Sequence, residues 1–149
     1  QLAGTILNTG LLPADLKQLI AHVASTASGC QYCQAHTGHQ AVHKGVTKEK
    51  LMAAFEFKTS DLFSHAEKAA LDVALHAGTS PNGIEPTHMQ TLLNHFNERE
   101  AVEIISVISL FGFLNRWNDS LATTLESGPL EFAEATLSKT GWEPGKHST

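Results

Sequence analysis

The 149-residue sequence predicts an all-α fold, because its apolar residues recur at helical spacing, helix caps punctuate it, and no segment shows the bounded period-two alternation of a strand. With 42% hydrophobic and 17% charged residues, the chain has the make-up of a globular protein able to bury one continuous core. A single helical domain over residues 1–149 is therefore expected, without internal repeats.

Leu16, Leu19, Ile20 and Val23 keep the i, i+3, i+4, i+7 spacing of an amphipathic helix, and Pro13 suits a first turn, which gives a helix over about 13–27. Ser28 and Gly29 interrupt it. A second helix follows from Cys30 to Lys44, stopped by Gly45 as a C-terminal glycine cap. Thr47 caps a short third helix through Phe55, and Ser64 with Glu67 forms a capping-box pattern ahead of a fourth that ends at Gly78. Turn chemistry over 78–83 precedes a fifth helix from Pro86 to about Phe96. Asn97, with Glu100 three residues on, caps a sixth over about 98–124. Its middle is apolar nearly all round, so it reads as the central buried helix or as one that also meets another subunit. A last helix spans Pro129 to about Lys139, leaving 141–147 as an irregular tail.

A net charge of -5 gives no electrostatic footprint for nucleic acid. No run approaches the roughly 18 apolar residues that a membrane span needs. The sequence begins at Gln1 without a secretory pattern and is read as a cytoplasmic chain lacking an N-terminal stretch.

Only two cysteines occur, three positions apart, which suits a reaction centre better than the long-range bridges of a secreted scaffold. Cys30 and Cys33 fall in the first turn of a helix, where free N–H groups and partial positive charge favour the thiolate. One thiol can attack a substrate and the other can close a disulfide. At about 100° per residue, Thr37, Gln40 and Lys44 share a polar face with Cys33, while Tyr32, Ala35, Val42 and Val46 gather on the opposite core face. That arrangement would expose the Cys33 sulfur. His36, about 60° round the helix, is the first candidate for its base. His22 and Gln18 share the face of the first helix opposite its apolar stripe, read as solvated unless a packing helix presents them to the cysteines.

Cys30, Cys33, His36 and His39 cannot share one tetrahedral metal, since about 13 Å of helix rise separates the end members. His36, His39 and His43 could hold a divalent metal weakly, although a solvated histidine stripe accounts for the same spacing. The cluster Asn115, Arg116, Trp117, Asn118 and Asp119 reads as helix-end pairing and core packing, or as a substrate or subunit contact.

The stretch Leu16 to Ala24, followed by Gly29-Cys30-Gln31-Tyr32-Cys33-Gln34-Ala35-His36 and Gly45-Val46-Thr47, resembles the core of the carboxymuconolactone decarboxylase superfamily on its alkylhydroperoxidase D-like branch. The later Phe111 to Asp119 run and the Gly141 to His147 tail are similar to an uncharacterised subgroup of that branch. The resemblance implies an all-α homo-oligomer with peroxidase or disulfide-reductase activity, supported by an external thiol or dithiol reductant protein. It also implies that Cys33 attacks a small hydroperoxide and Cys30 resolves the product, with no cofactor beyond the cysteine pair. The branch's relay glutamate falls at Gln18 and its relay histidine at Thr37, so His36 and His22 are the available substitutes. The expected function is a thiol-dependent peroxidase or disulfide reductase. The alternatives are a non-enzymatic redox sensor or oligomerisation module, a histidine-based metal-binding protein, and a cysteine-independent lyase.

Overall fold

The computed structural model describes residues 1–148. Eight α-helices make up the described chain, in the order α1 (Leu2–Asn8), α2 (Ala14–Ala27), α3 (Gln31–His43), α4 (Lys48–Met52), α5 (His65–Ala77), α6 (Pro86–Leu93), α7 (Glu98–Leu121) and α8 (Ser127–Thr136). Short 3-10 turns follow at Leu137–Thr140 and Gly145–His147, and no strand occurs among the described residues. The all-α expectation holds. The sequence pattern did not anticipate α1, which has no buried residue of its own.

Helix ends follow side-chain chemistry. Thr47 caps α4, and capping boxes close Ser64 with Glu67 on α5 and Asn97 with Glu100 on α7. Pro13 stands at the N-cap of α2, one residue outside the helix, and Cys30 likewise caps α3 from outside. The long helix stops at Leu121 because Ala122 turns left-handed, with φ of 48°.

The centre of the fold is α2, not the longer α7. Every residue from Leu16 to Ser25 is buried, and α2 packs against α3, α5 and α7. The apolar stripe of Leu19, Ile20 and Val23 supplies the core, while Ala21 and Ala24 allow close approach. The face expected to be solvated is instead covered, because its polar groups find internal partners. Lys17 Nζ donates to the Ile6 carbonyl at 2.9 Å and lies 3.3 Å from Glu103 Oε2. His22 Nδ1 meets Thr37 Oγ1 at 3.1 Å. Helix α7 buries Ala101, Ile104, Val107, Ile108 and Phe111 and leaves Val102, Phe113, Trp117 and Leu121 more than half exposed. Of its two sequence readings, the fully buried one is thus corrected. No helix among the described residues is long and apolar enough to cross a membrane.

Candidate functional site: a buried cysteine pair

The Cys30 sulfur accepts a hydrogen bond from the Cys33 backbone N–H at 3.4 Å, so the side chain that caps α3 is itself a thiol. Both cysteines are reduced, and both are buried, at 1% and 3% exposure. The expected exposed polar face around Cys33 is corrected by this burial: α2 and α7 pack over that side of α3, and Thr37 is buried with it. The two sulfurs are not equivalent. A hydrogen bond from the Cys33 side chain, opposed by burial and aided by the Cys33 N–H, holds the Cys30 thiol below its usual value. The same interaction and burial push the Cys33 thiol up, against the favourable donor Asn118 Nδ2 at 3.7 Å. Cys30 is the more acidic partner.

Access comes from a cavity of about 310 Å³ on the Cys33 side. Its wall is mainly apolar, with Leu7, Tyr32, Phe111 and Leu114, and it includes Gln18, His36, Thr37, Gln40 and Asn118. Cys33 lines this cavity and Cys30 does not.

His36 is on the cavity wall, but its Nε2 pairs with Glu126 Oε2 at 2.7 Å, and its ring stacks on Tyr32 at 4.5 Å. Tyr32 donates to the same carboxylate at 3.0 Å. Burial, then Glu126, pushes the Tyr32 hydroxyl up to about 12. Glu126 was not foreseen, since 90 residues separate it from His36. His22 is buried and pushed down to about 4, first by burial, which keeps it neutral. The Thr37 hydroxyl that faces it donates to the Cys33 carbonyl at 2.6 Å, so this chain of contacts reaches the Cys33 backbone and not its sulfur.

The C-terminal tail is part of the site. Trp142 Nε1 donates to the Gln31 carbonyl at 3.1 Å, and the Leu125 N–H to the His147 carbonyl at 3.0 Å, folding the tail across the start of α3. His147 becomes fully buried, with its ring 5.8 Å from Tyr32. One of its ring nitrogens, an Asp119 carboxylate oxygen and Cys30 Sγ lie within 4.8 Å of one another. Asp119 entered the sequence reading only within the 115–119 cluster, as helix-end pairing or a substrate or subunit contact, and His147 was missed as a site residue. The only available signal was the density of turn and aromatic residues in Gly141-Trp142-Glu143-Pro144-Gly145, where both glycines adopt positive φ.

Metal-ligand types also converge at Asp72, His76 and His88, but Lys58 already holds Asp72 at 2.9 Å. His39 and His43 bring their Nε2 atoms within 3.0 Å, whereas His36 turns to Glu126 and does not join them.

This helical domain, with its Cys-X-X-Cys pair at a helix start, shares its all-α architecture with proteins of the alkylhydroperoxidase D-like fold. Residues 1–76 match the carboxymuconolactone decarboxylase family, and the chain belongs to that family. The crystal structure of the debrominase Bmp8, as a cysteine-to-alanine variant in complex with 2,3,4-tribromopyrrole, superposes with a TM-score of 0.84 at 39% identity, covering 93% of this chain and 72% of that one. ATU0492 from Agrobacterium tumefaciens, a protein of unknown function provisionally named for AhpD antioxidant defence, shares the fold at a TM-score of 0.74 and 18% identity, over 84% of this chain and 86% of its own. The uncharacterized protein YnjA of Escherichia coli (strain K12) is 26% identical over 62% of this chain, which spans 50% of its length.

Proposed function

We propose that this chain is a thiol-dependent reductase in which Cys33 takes an electrophilic atom from a small apolar substrate and Cys30 closes the disulfide. The observation that carries the reading is the division of labour between the two sulfurs: Cys33 lines the apolar cavity, and Cys30 sits behind it as the more acidic thiol. Proton transfer from Cys33 to the Cys30 thiolate generates the attacking anion at the cavity. With a hydroperoxide, the Cys33 thiolate attacks the distal oxygen, the O–O bond breaks, and the alkoxide takes a proton to leave as alcohol. His36, the imidazole on that wall, supplies this proton. Cys30 then displaces hydroxide from the Cys33 sulfenic acid, and an external dithiol protein restores both thiols. His22 acts through Thr37 to hold the turn that carries Cys33.

A second substrate reading is favoured by the likeness to the debrominase and by Tyr32 and Phe111 on the cavity wall. Cys33 would take bromine from a brominated aromatic ring, the ring carbon would gain a proton, and Cys30 would displace bromide as the disulfide forms. Two electrons pass in either case. Self-association through the exposed Val102, Phe113, Trp117 and Leu121 face of α7 belongs to the same proposal.

The test incubates the reduced protein with cumene hydroperoxide or a polybrominated pyrrole, and follows free thiols, bromide and protein mass. Loss of two hydrogen atoms from the protein mass with one substrate, and none in Cys33→Ser, is the expected result. If neither substrate oxidises the pair, or Cys33→Ser turns over normally, the proposal fails.

A further inference from the structure

His147 has no assigned task, yet it is fully buried and one of its ring nitrogens lacks a partner. Nδ1 lies 2.8 Å from the Thr123 carbonyl, which can only accept, so Nδ1 carries the ring's proton and the lone pair of the neutral ring is on Nε2. That Nε2 has no hydrogen-bond partner, and a nitrogen of the same ring lies within 4.8 Å of Cys30 Sγ. A buried, unsatisfied acceptor costs about 1–3 kcal/mol unless something donates to it. The Cys30 thiol is such a donor.

We infer that His147 is the proton acceptor for Cys30, held by the C-terminal tail so that the resolving thiol can ionise inside the protein. Asp119 Oδ1, 3.6 Å from the same nitrogen, stabilises the imidazolium once the proton arrives. The inference rests on the reading of Cys30 as resolving thiol. The resolving step then balances: Cys30 S–H gives its proton to Nε2, the sulfur attacks the Cys33 sulfenic acid, and the S–S bond forms as S–O breaks. The departing hydroxide takes the proton from Nε2 and leaves as water.

The other ionisable groups around the pair are accounted for. Lys146 holds Asp119 Oδ2 at 2.9 Å, leaving Oδ1 for the imidazolium. On α3, Cys33 adjoins Cys30, and Tyr32 contacts the His147 ring while donating to Glu126, which also engages His36.

The test needs no substrate. In the full chain carrying Cys33→Ser, the Cys30 thiolate is titrated by its absorbance near 240 nm, with and without His147→Asn. Asparagine can keep the donor to the Thr123 carbonyl while removing Nε2. The expected result is a thiol midpoint raised by about one pH unit or more in the double variant. An unchanged midpoint in a variant of native helix content overturns the inference. Should that variant unfold, nitrogen-15 NMR of His147 in the Cys33→Ser chain decides: Nε2 must stay protonated over the pH range in which Cys30 is already thiolate. Independent titration of the two groups overturns the inference. A chain that reduces neither the hydroperoxide nor the brominated pyrrole, yet shows the linked titration, would fail the substrate proposal and leave this one standing.

Discussion

Asn118 is the donor that favours a negative charge on Cys33, and its amide reaches the sulfur at 3.7 Å from the end of α7. Replacing it by leucine removes that donor at similar volume and leaves the Cys33 thiol still higher. At any pH below its midpoint, less attacking thiolate is present. The rate of the first oxidation should therefore fall, and its pH profile should move upward by up to about one unit. Stopped-flow oxidation of Asn118→Leu against pH measures both. A profile unmoved from the parent would remove Asn118 from the electrostatics of the site. The cysteine pair was legible in the sequence because its spacing and helix position are local facts. Its polar neighbours were legible only in part: Asn118 and Asp119 stood in a cluster whose contact with the cysteines no local pattern shows, and His147 was not seen, because all three reach the pair from more than 80 residues away. His36 was legible as a neighbour, but its orientation toward Glu126 depends on that distant contact.

Helical periodicity located every described helix except α1 to within a few residues at most ends, since caps such as Ser64 and Asn97 are written into the chain. It misplaced the centre of the molecule. An apolar count favours α7, whereas α2 is buried all round because Lys17, Gln18 and His22 are covered by neighbours that no pattern along α2 reveals. Close approach to α2 also explains Gly78, which reads in the sequence only as a helix stop. A methyl group built there would lie 2.8 Å from the carbonyl oxygens of both Ala24 and Ala74, and 2.9 Å from Ala24 Cα. All three are backbone atoms and cannot swing aside. The φ of -75° is one that alanine accepts, so the cost is steric. Gly78→Ala should destabilise by about 1–3 kcal/mol through separation of α2 and α5. Ser64→Ala at the other end of α5 should cost about 1 kcal/mol through loss of its cap. Urea unfolding followed by circular dichroism measures both, and a Gly78→Ala chain as stable as the parent would show that α5 can shift freely.

For the whole molecule, burying polar groups beside the central helix makes stability depend on acid in two windows. Glu103 closes the link between α1, α2 and α7: it accepts from the N–H groups of Leu11 at 2.8 Å and Leu12 at 3.1 Å and pairs with Lys17. Burial works against its charge, but those donors prevail and hold its carboxyl below the usual range. Its contribution is present at neutral pH and fades only as the carboxyl protonates in strong acid. His22 acts earlier. Its imidazole binds a proton below about 6.5 when unfolded, and only below about 4 in the native core. Between those values the unfolded chain holds more protons, so stability rises with pH and is lost as pH falls through the window. The shift corresponds to a loss of about 2 kcal/mol on going from pH 7 to pH 5. Urea midpoints at the two pH values should differ by that amount in the parent. They should converge in His22→Gln, whose amide can still donate to Thr37 but does not titrate. Equal acid sensitivity in the two proteins would place the loss elsewhere, and a buried neutral imidazole beneath the Cys33 turn would no longer be tenable.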